Sequence, residues 1–253
     1  MPENDRNTRR CTVMICIDAT NMDYRQLCTE VQNCQDDISI IGCSGQRFIG
    51  AGLEHHHLRI TGTPGNALGA YLNGASIEVH GNAQDAVGDT MNAGRIVIHG
   101  NIGDAAGYAM RGGEIYVEGN AGYRAGIHMK AYADKLPVMV IGGKAGSFLG
   151  EYQAGGVIIV LGMTEGKRPI VSNFPCTGMH GGKLYLRSDC KNLLLPKQVT
   201  AHPATAEDLA EIGGYLKTYC ALFGCSYDTL LQAPFTVVTP DSQNPYKQMY
   251  VLN

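Results

Sequence analysis

Nine cysteines are the residues of this chain best suited to metal or redox chemistry, because thiolates bind soft metals and exchange disulfides. Zinc and iron–sulfur sites usually contain closely spaced pairs, and none of the nine forms a Cys-x-x-Cys pair. The pattern favours reduced, mostly buried thiols, and we expect no metal or cofactor bound by this chain alone. The nine are Cys11, Cys16, Cys28, Cys34, Cys43, Cys176, Cys190, Cys220 and Cys225.

Three consecutive histidines, His55, His56 and His57, are the second candidate for metal chemistry. They directly precede a strand-like segment, and neighbouring residues of an extended chain point to opposite faces. All three therefore cannot turn toward one ion, and an exposed coil edge is the favoured interpretation. The pair His55 and His57 could still bind an ion adventitiously.

These residues must be positioned by a backbone that repeats. A glycine follows each short strand-like segment, and Gly62, Gly81, Gly100 and Gly119 are each nineteen residues apart. A period near twenty is typical of a solenoid, in which each coil buries its apolar face against its neighbours. We expect ten glycines to be structural, because tight corners need positive φ or close backbone approach. They are Gly62, Gly81, Gly88, Gly100, Gly107, Gly119, Gly126, Gly143, Gly150 and Gly162.

Two columns of residues are apolar in every repeat. They lie four and two positions before the glycine that follows each strand-like segment, or before Ser188 in the last repeat. The first column is Ile38, Leu58, Ile77, Ile96, Ile115, Met139, Ile158 and Leu184. The second is Ile40, Ile60, Val79, Ile98, Val117, Ile141, Val160 and Leu186. This alternation predicts strands with one buried face, stacked as an all-β parallel β-helix of about seven coils. A third column, Leu72, Met91, Met110 and Met129, is interpreted as core packing rather than a sulfur-lined site.

Two insertions interrupt the period, at residues 128–137 and 163–180. Insertions in a solenoid form loops on one side and often mark its binding side. If both loops emerge on the same side, they form a polar, partly basic patch suited to a partner domain, although ordinary solvated loops are an equal alternative. The candidate partner-interface residues are Tyr123, Arg124, His128, Lys130, Lys167, Arg168 and His180.

The two ends of the chain are expected to be α-helical caps that cover the terminal rungs. Asp23 begins a short amphipathic helix, and Thr205 and Gly224 are the predicted start and stop of a longer one. Partner docking is the second interpretation of the longer helix. The predicted organisation is an N-terminal strand and helix cap over 1–37, the β-helix over 38–190, and a C-terminal helical cap and tail over 191–253.

Composition limits the function classes. A net charge of −3 gives no basic field for nucleic acid, and no apolar segment is long enough to cross a membrane. The polar start of the sequence lacks a secretory signal, which favours a cytoplasmic location.

Beyond these patterns, the segment GNAQDAVGDTMNAGRIVIHGNIGDAAGYAMRGGEIYVEGNAGYRAGIHMK (81–130) closely resembles the GXGXG-repeat domain of glutamate synthase. Four further segments resemble the stand-alone form of that domain found where glutamate synthase is split over separate polypeptides. They are IDATNMDYRQLCTEV (17–31), GEYQAGGVIIVLG (150–162), GMHGGKLYL (178–186) and NPYKQMY (244–250). The resemblance implies a right-handed parallel β-helix that serves as a structural subunit.

Such a subunit would pack against two partners, an FMN and iron–sulfur synthase subunit and a glutaminase subunit. The glutaminase uses an N-terminal cysteine, whereas this chain begins Met1-Pro2 and its first cysteine is Cys11. The resemblance therefore implies that FMN and iron–sulfur clusters belong to the partners and that this chain contributes no catalytic residue. A homo-oligomer also stays open.

Two alternatives remain at this point. The same repeat occurs in a scaffold subunit of formylmethanofuran dehydrogenase, in formyltransferase complexes and in paralogues such as N-methylglutamate synthase. A different class, an independent β-helix enzyme acting on polysaccharides, would need an acidic or basic cluster along one exposed face. The outward residues between the two apolar columns form no acidic ladder, which argues against that class.

Overall fold

A computed structural model describes residues 14–191 and 193–241 of the chain. Within them, eleven strands form one continuous sheet in the order β1-β2-β3-β4-β5-β6-β7-β8-β9-β11-β10. Cys11, the first thirteen residues of the expected N-terminal cap, and the segment NPYKQMY (244–250) lie outside the described residues. None of the described helices is both long and apolar enough to span a membrane.

The strands β2 to β9 pair in parallel and in sequence order, each stacked on the one before. The elements in chain order are β1 (Met14–Asp18), α1 (Tyr24–Asn33), β2 (Asp37–Ser44), β3 (His57–Thr63), β4 (Asn73–His80), β5 (Ala93–Ile98), β6 (Glu114–Val117), β7 (Val138–Ile141), β8 (Ala154–Val160), β9 (Gly181–Leu186), β10 (Val199–Pro203), α2 (Ala206–Phe223), α3 (Tyr227–Leu231) and β11 (Thr236–Pro240).

The inward face of this stack is the one that the alternating pattern predicts. Ile77 pairs with Ile96, which pairs with Ile115, and the same register continues through all eight parallel rungs. Every residue of the two predicted apolar columns is fully buried. Leu72, Met91, Met110 and Met129 are also fully buried, so their interpretation as core packing is confirmed. The prediction of a parallel β-solenoid is therefore confirmed.

Four glycines that follow strands, Gly62, Gly81, Gly100 and Gly119, share one reason for being glycine, which is the close approach of successive rungs. We call them the marker glycines. A Cβ on Gly81 would collide with the carbonyl oxygen of Gly62, and a Cβ on Gly100 would collide with that of Gly81. A side chain at this position would push neighbouring rungs apart. The nineteen-residue spacing of these glycines therefore reflects a backbone contact that recurs from one rung to the next.

The corner that follows each strand has left-handed backbone at every second residue. In one rung these residues are Ala86, Gly88 and Thr90, with φ of 58°, 67° and 52°. The middle residue must be glycine for a second reason, because a Cβ on Gly88 would meet the tip of Ile115 from the interior. Hydrogen bonds between rungs hold the strained backbone in place, since Ala86 N donates to Asp104 O at 2.8 Å.

The N-terminal helix α1 begins where the sequence predicts. The Asp23 side chain accepts hydrogen bonds from the backbone N–H groups of Arg25 and Gln26 and so caps the helix. Leu27 and Val31 of this helix join the interior cluster of the stack. Helix α1 therefore closes the N-terminal end, in agreement with its predicted role as a cap.

The long helix α2 begins and ends as predicted, but it lies elsewhere. Thr205 and Asp208 form a reciprocal capping box, and Gly224 ends the helix in a left-handed conformation. Instead of covering the end of the stack, α2 covers its outer face. Glu211 near its start contacts Lys183 of β9, and Phe223 at its end contacts His99 beside β5.

Apolar residues on the outer face explain this position of α2. Val97, Val140 and Ile159 point outward from their strands and are buried together with Ile212 and Leu216 of the helix. The strand β11, rather than α2, covers the last rung, and it pairs antiparallel to β9.

The close contact between Gly81 and the carbonyl oxygen of Gly62 predicts that two glycine substitutions have unequal effects on stability. Gly81→Ala should lower the free energy of unfolding by about 2–4 kcal/mol, because the new methyl group meets fixed backbone. Gly214→Ala should be neutral or stabilising, because a Cβ there meets no atom within 4 Å and alanine favours the helix. Urea denaturation of both variants measures the difference, and equal stability would contradict this account of the period.

Candidate partner interface

The two insertions leave the stack at opposite ends of the strands. The first runs up to Val138, where β7 begins, and its Leu136 lies beside the starts of neighbouring strands, near Gly94 and Glu114. The second follows β8, which ends at Val160. The part of the first insertion that leads into β7 and the part of the second insertion that follows β8 therefore lie apart. His128 of the first insertion and Phe174 of the second lie nearer the corner of the stack.

The second insertion forms one wall of a groove of about 660 Å³. Tyr123, Lys167 and Arg168 all line this groove, so the structure brings three of the predicted interface residues together. Lys144 crosses it and donates a hydrogen bond from Nζ to the carbonyl oxygen of Gly166 at 2.6 Å. Lys144, Lys167 and Arg168 give the groove a basic character, moderated by Glu165.

Two other predicted residues, Arg124 and His128, lie farther along the same coil, on its left-handed corner. They belong to two columns of side chains on successive rungs of this corner, which we together call the aromatic ledge. The aromatic ledge consists of Tyr108, Arg124, His128, Phe148, Tyr152 and Phe174.

Ring contacts join the members of the ledge across rungs. The His128 ring stacks on Tyr152, with centroids 5.2 Å apart, and meets the edge of Tyr108 at 5.9 Å. Phe148 lies 5.4 Å from Phe174, whose side chain is 63% exposed. Rings held by their neighbours lose little freedom on binding, which favours a docking surface.

Arg124 is fixed at the centre of the ledge by two contacts. Its Nε donates a hydrogen bond to Oε2 of the buried Glu151 at 3.0 Å. Its guanidinium group also lies 5.2 Å from the centroid of the Phe148 ring. A planar cation held on an aromatic face is a common feature of protein interfaces.

Lys130 and His180 lie apart from both the groove and the centre of the ledge. Each precedes the next strand of the stack, and their backbone N–H groups donate to Met110 O and Gln153 O. They occupy the end of the corner where the chain re-enters the sheet, so the seven predicted residues do not form a single patch.

Sequence reasoning missed Tyr108, Phe148, Tyr152 and Phe174. The signal for two of them was present, because Phe148 and Tyr152 follow Arg124 and His128 by 24 residues, the length of that repeat with its insertion. Reading the corner positions as columns, like the strand positions, would have found them.

The thiols are less buried than expected. All eight described cysteines are free, but only Cys43, Cys176 and Cys220 are buried. Burial raises the pKa of Cys43 to about 11 and that of Cys176 to about 12, so both stay protonated at neutral pH. These two thiols are packing residues.

The stacked parallel strands with an apolar interior place the chain in the class of parallel β-solenoid proteins. More specifically, the chain matches the GXGXG motif family over residues 17–241 and is a member of that family.

One relative and one solved structure extend this comparison. The chain is 42% identical over 252 residues to an uncharacterized protein of Methanocaldococcus jannaschii, an alignment that covers 93% of this chain and 96% of the relative. It also shares its fold with a chain in the crystal structure of the formyltransferase/hydrolase complex from Methylorubrum extorquens in complex with methylofuran. That match has a TM-score of 0.61 and 21% identity, and it covers 87% of this chain and 91% of the other.

The ledge predicts which side chains a partner contacts. Replacing both the half-buried Phe148 and the exposed Phe174 by alanine should weaken partner binding about tenfold or more, because aromatic anchors carry most of the binding energy of an interface. Tyr132→Ala is the matched control, since Tyr132 is 64% exposed but lies on the first insertion. Binding is measured by co-purification from native cells and by interferometry with the recovered partner. Equal losses in both variants would refute the ledge as the docking site.

Proposed function

We propose that this chain is a non-catalytic structural subunit of a larger assembly of the formyltransferase/hydrolase type, built from several different chains. The fold likeness to a chain of such a complex, extending over most of both chains, supports this assignment. The observation that carries it is the aromatic ledge. Its tyrosine, phenylalanine and arginine side chains, of which Tyr108, Arg124 and Phe174 are exposed, have the composition that subunits bury against one another.

The filled interior supports a structural role. The two inward columns of β2 to β9 are apolar and completely buried, so their packing leaves no chamber for a substrate between these rungs. We therefore assign no catalytic residue to this chain. Any flavin or iron–sulfur cluster that the complex uses belongs to the partner chains, and the complex works in the cytoplasm.

A split glutamate synthase is the second candidate. In that case the partners are an FMN and iron–sulfur synthase subunit and a glutaminase subunit. The resemblance of residues 81–130 to the GXGXG-repeat domain of glutamate synthase favours it, and family membership is compatible with both complexes. A complex of the N-methylglutamate synthase kind is a variant of this second candidate.

An independent polysaccharide-cleaving enzyme is disfavoured by the position of α2. Such an enzyme needs an open outer face on which a sugar chain can lie. Five of the eight outward residues midway between the apolar columns are buried in the cluster that α2 completes: Val97, Tyr116, Val140, Ile159 and Tyr185. The helix therefore occupies the surface that a polysaccharide would need.

Affinity purification from the native cell distinguishes these candidates. A tagged chain should recover formyltransferase and hydrolase chains, identified by mass spectrometry, and removing it should abolish assembly of the active complex. Recovery of a flavoprotein and an amidotransferase would instead establish the glutamate synthase assignment. If the chain is recovered alone and cleaves a polyuronide, both structural assignments are wrong. The same purification with the Tyr132→Ala variant shows whether substitution of an exposed aromatic residue outside the ledge changes the recovery of partners.

A further inference from the structure

The outer face of the sheet carries a cluster of imidazoles around one carboxylate, whereas the aromatic ledge lies on the corner that follows the strands. Glu78 and His80 point outward from β4, because residues two apart in a strand share a face. His99 follows β5, nineteen residues after His80, so the solenoid repeat sets the two histidines side by side. Their rings stack with centroids 4.7 Å apart and an interplanar angle of 9°.

Both imidazoles turn one nitrogen toward the same carboxylate oxygen. Nε2 of His99 lies 3.0 Å from Oε1 of Glu78, and Nε2 of His80 lies 3.5 Å from it. One ligand atom from each of the three residues lies within 4.8 Å of the other two. Small shifts of these side chains would bring all three atoms to the distance of about 2.0–2.2 Å that a Zn²⁺ ion requires.

The second oxygen of Glu78 has its own partners. Oε2 lies 3.4 Å from Arg59 and 3.8 Å from Nε2 of His57, both on the neighbouring strand β3. An outer partner of this kind orients a carboxylate and leaves its other oxygen free to bind a metal. Burial raises the pKa of Glu78, but the hydrogen bond from His99 and the charges of His80 and Arg59 outweigh it and lower the pKa overall. The carboxylate is therefore ionised.

The end of α2 closes one side of the cluster. The ring of Phe223, the last residue of α2, meets His99 edge-on with centroids 5.2 Å apart. The carboxyl end of a helix carries partial negative charge, which favours a nearby cation. The side chains of Glu78 and His99 are only 21% and 24% exposed, whereas that of His80 is 43% exposed and leaves the site open to solvent.

We propose that Glu78, His80 and His99 bind a divalent first-row transition-metal ion of the Zn²⁺ type. Two imidazole nitrogens and one carboxylate oxygen suit zinc and its neighbours in the series, rather than the hard cations Mg²⁺ and Ca²⁺. Three protein ligands leave the fourth position to water or to a ligand from a partner. The site does not depend on the identity of the complex.

The histidine triplet is the rival explanation for any metal affinity. Adventitious binding through His55 and His57 would not need Glu78, His80 or His99. The two explanations differ in which single histidine matters, so His55→Gln is the matched control for His99→Gln.

Cobalt titration tests the proposal on the full-length chain after removal of metal with a chelator. Co²⁺ should produce visible absorption bands that saturate at one equivalent and disappear on addition of Zn²⁺. His80→Gln, His99→Gln and Glu78→Gln should each weaken binding at least tenfold, since even outer partners of a metal ligand contribute tenfold or more. His55→Gln should bind as the wild type does.

Thermal unfolding supplies a second readout. Zn²⁺ should raise the melting temperature of the wild-type chain and of His55→Gln through preferential binding to the folded state, and should leave that of His99→Gln unchanged. Melting in chelator shows that each variant is folded. Absence of a saturable Co²⁺ signal in the wild type would overturn the proposal. So would a loss of binding in His55→Gln that matches the loss in His99→Gln.

Discussion

The contact between each marker glycine and the backbone of the rung below is the constraint on which the whole structure depends. Because Gly81 and Gly100 lie against the carbonyl oxygens of Gly62 and Gly81, successive rungs can stack at the spacing of a hydrogen-bonded sheet. Uniform spacing makes the residues of one repeat position lie directly above one another. The interior columns, the corner ledge and the stacked histidines all arise from this alignment.

The interior, the outer sheet face and the corner of the stack differ in which residues they carry and in how far they are covered. Its interior is closed by apolar side chains, while its outer sheet face is divided by α2 into a covered half and an open half. The covered half begins at Val97, and the cluster around Glu78 lies where the open half begins. The corner after the strands carries the aromatic ledge. The candidate docking surface and the proposed metal site therefore lie on separate regions of the same stack.

Periodic sequence features predicted the fold well because each repeat position has a single environment. Alternation at Ile77 and Val79 was enough to place a whole column in the interior, and Thr205 and Gly224 marked the ends of α2 correctly. The packing position of α2 could not be read in the same way, because nothing local to the helix specifies which face it covers. The outward Val97, Val140 and Ile159 showed that some cover was needed, but a partner would have satisfied them equally.

The candidate sites were harder to predict, since they combine residues of different rungs. His80 and His99 are meaningful only once the register brings them together, and the cysteines and the histidine triplet were more conspicuous in the sequence. Arg124 and His128 were predicted from their place beside and within the first insertion, whereas their ring contacts come from the corners of neighbouring rungs.

The antiparallel strand on the last rung has a further consequence. A parallel stack offers its final strand as a template, so identical molecules could add end to end and grow into a fibre. The chain reverses direction at β11, which pairs with β9 through Thr236 and Leu186, and β10 then pairs with β11 on its other side. An arriving copy would meet β10, a five-residue strand that is exposed over its last four residues and ends in Pro203, instead of a rung with apolar inward columns. This final hairpin-like pairing gives the polymer-like repeat a defined length.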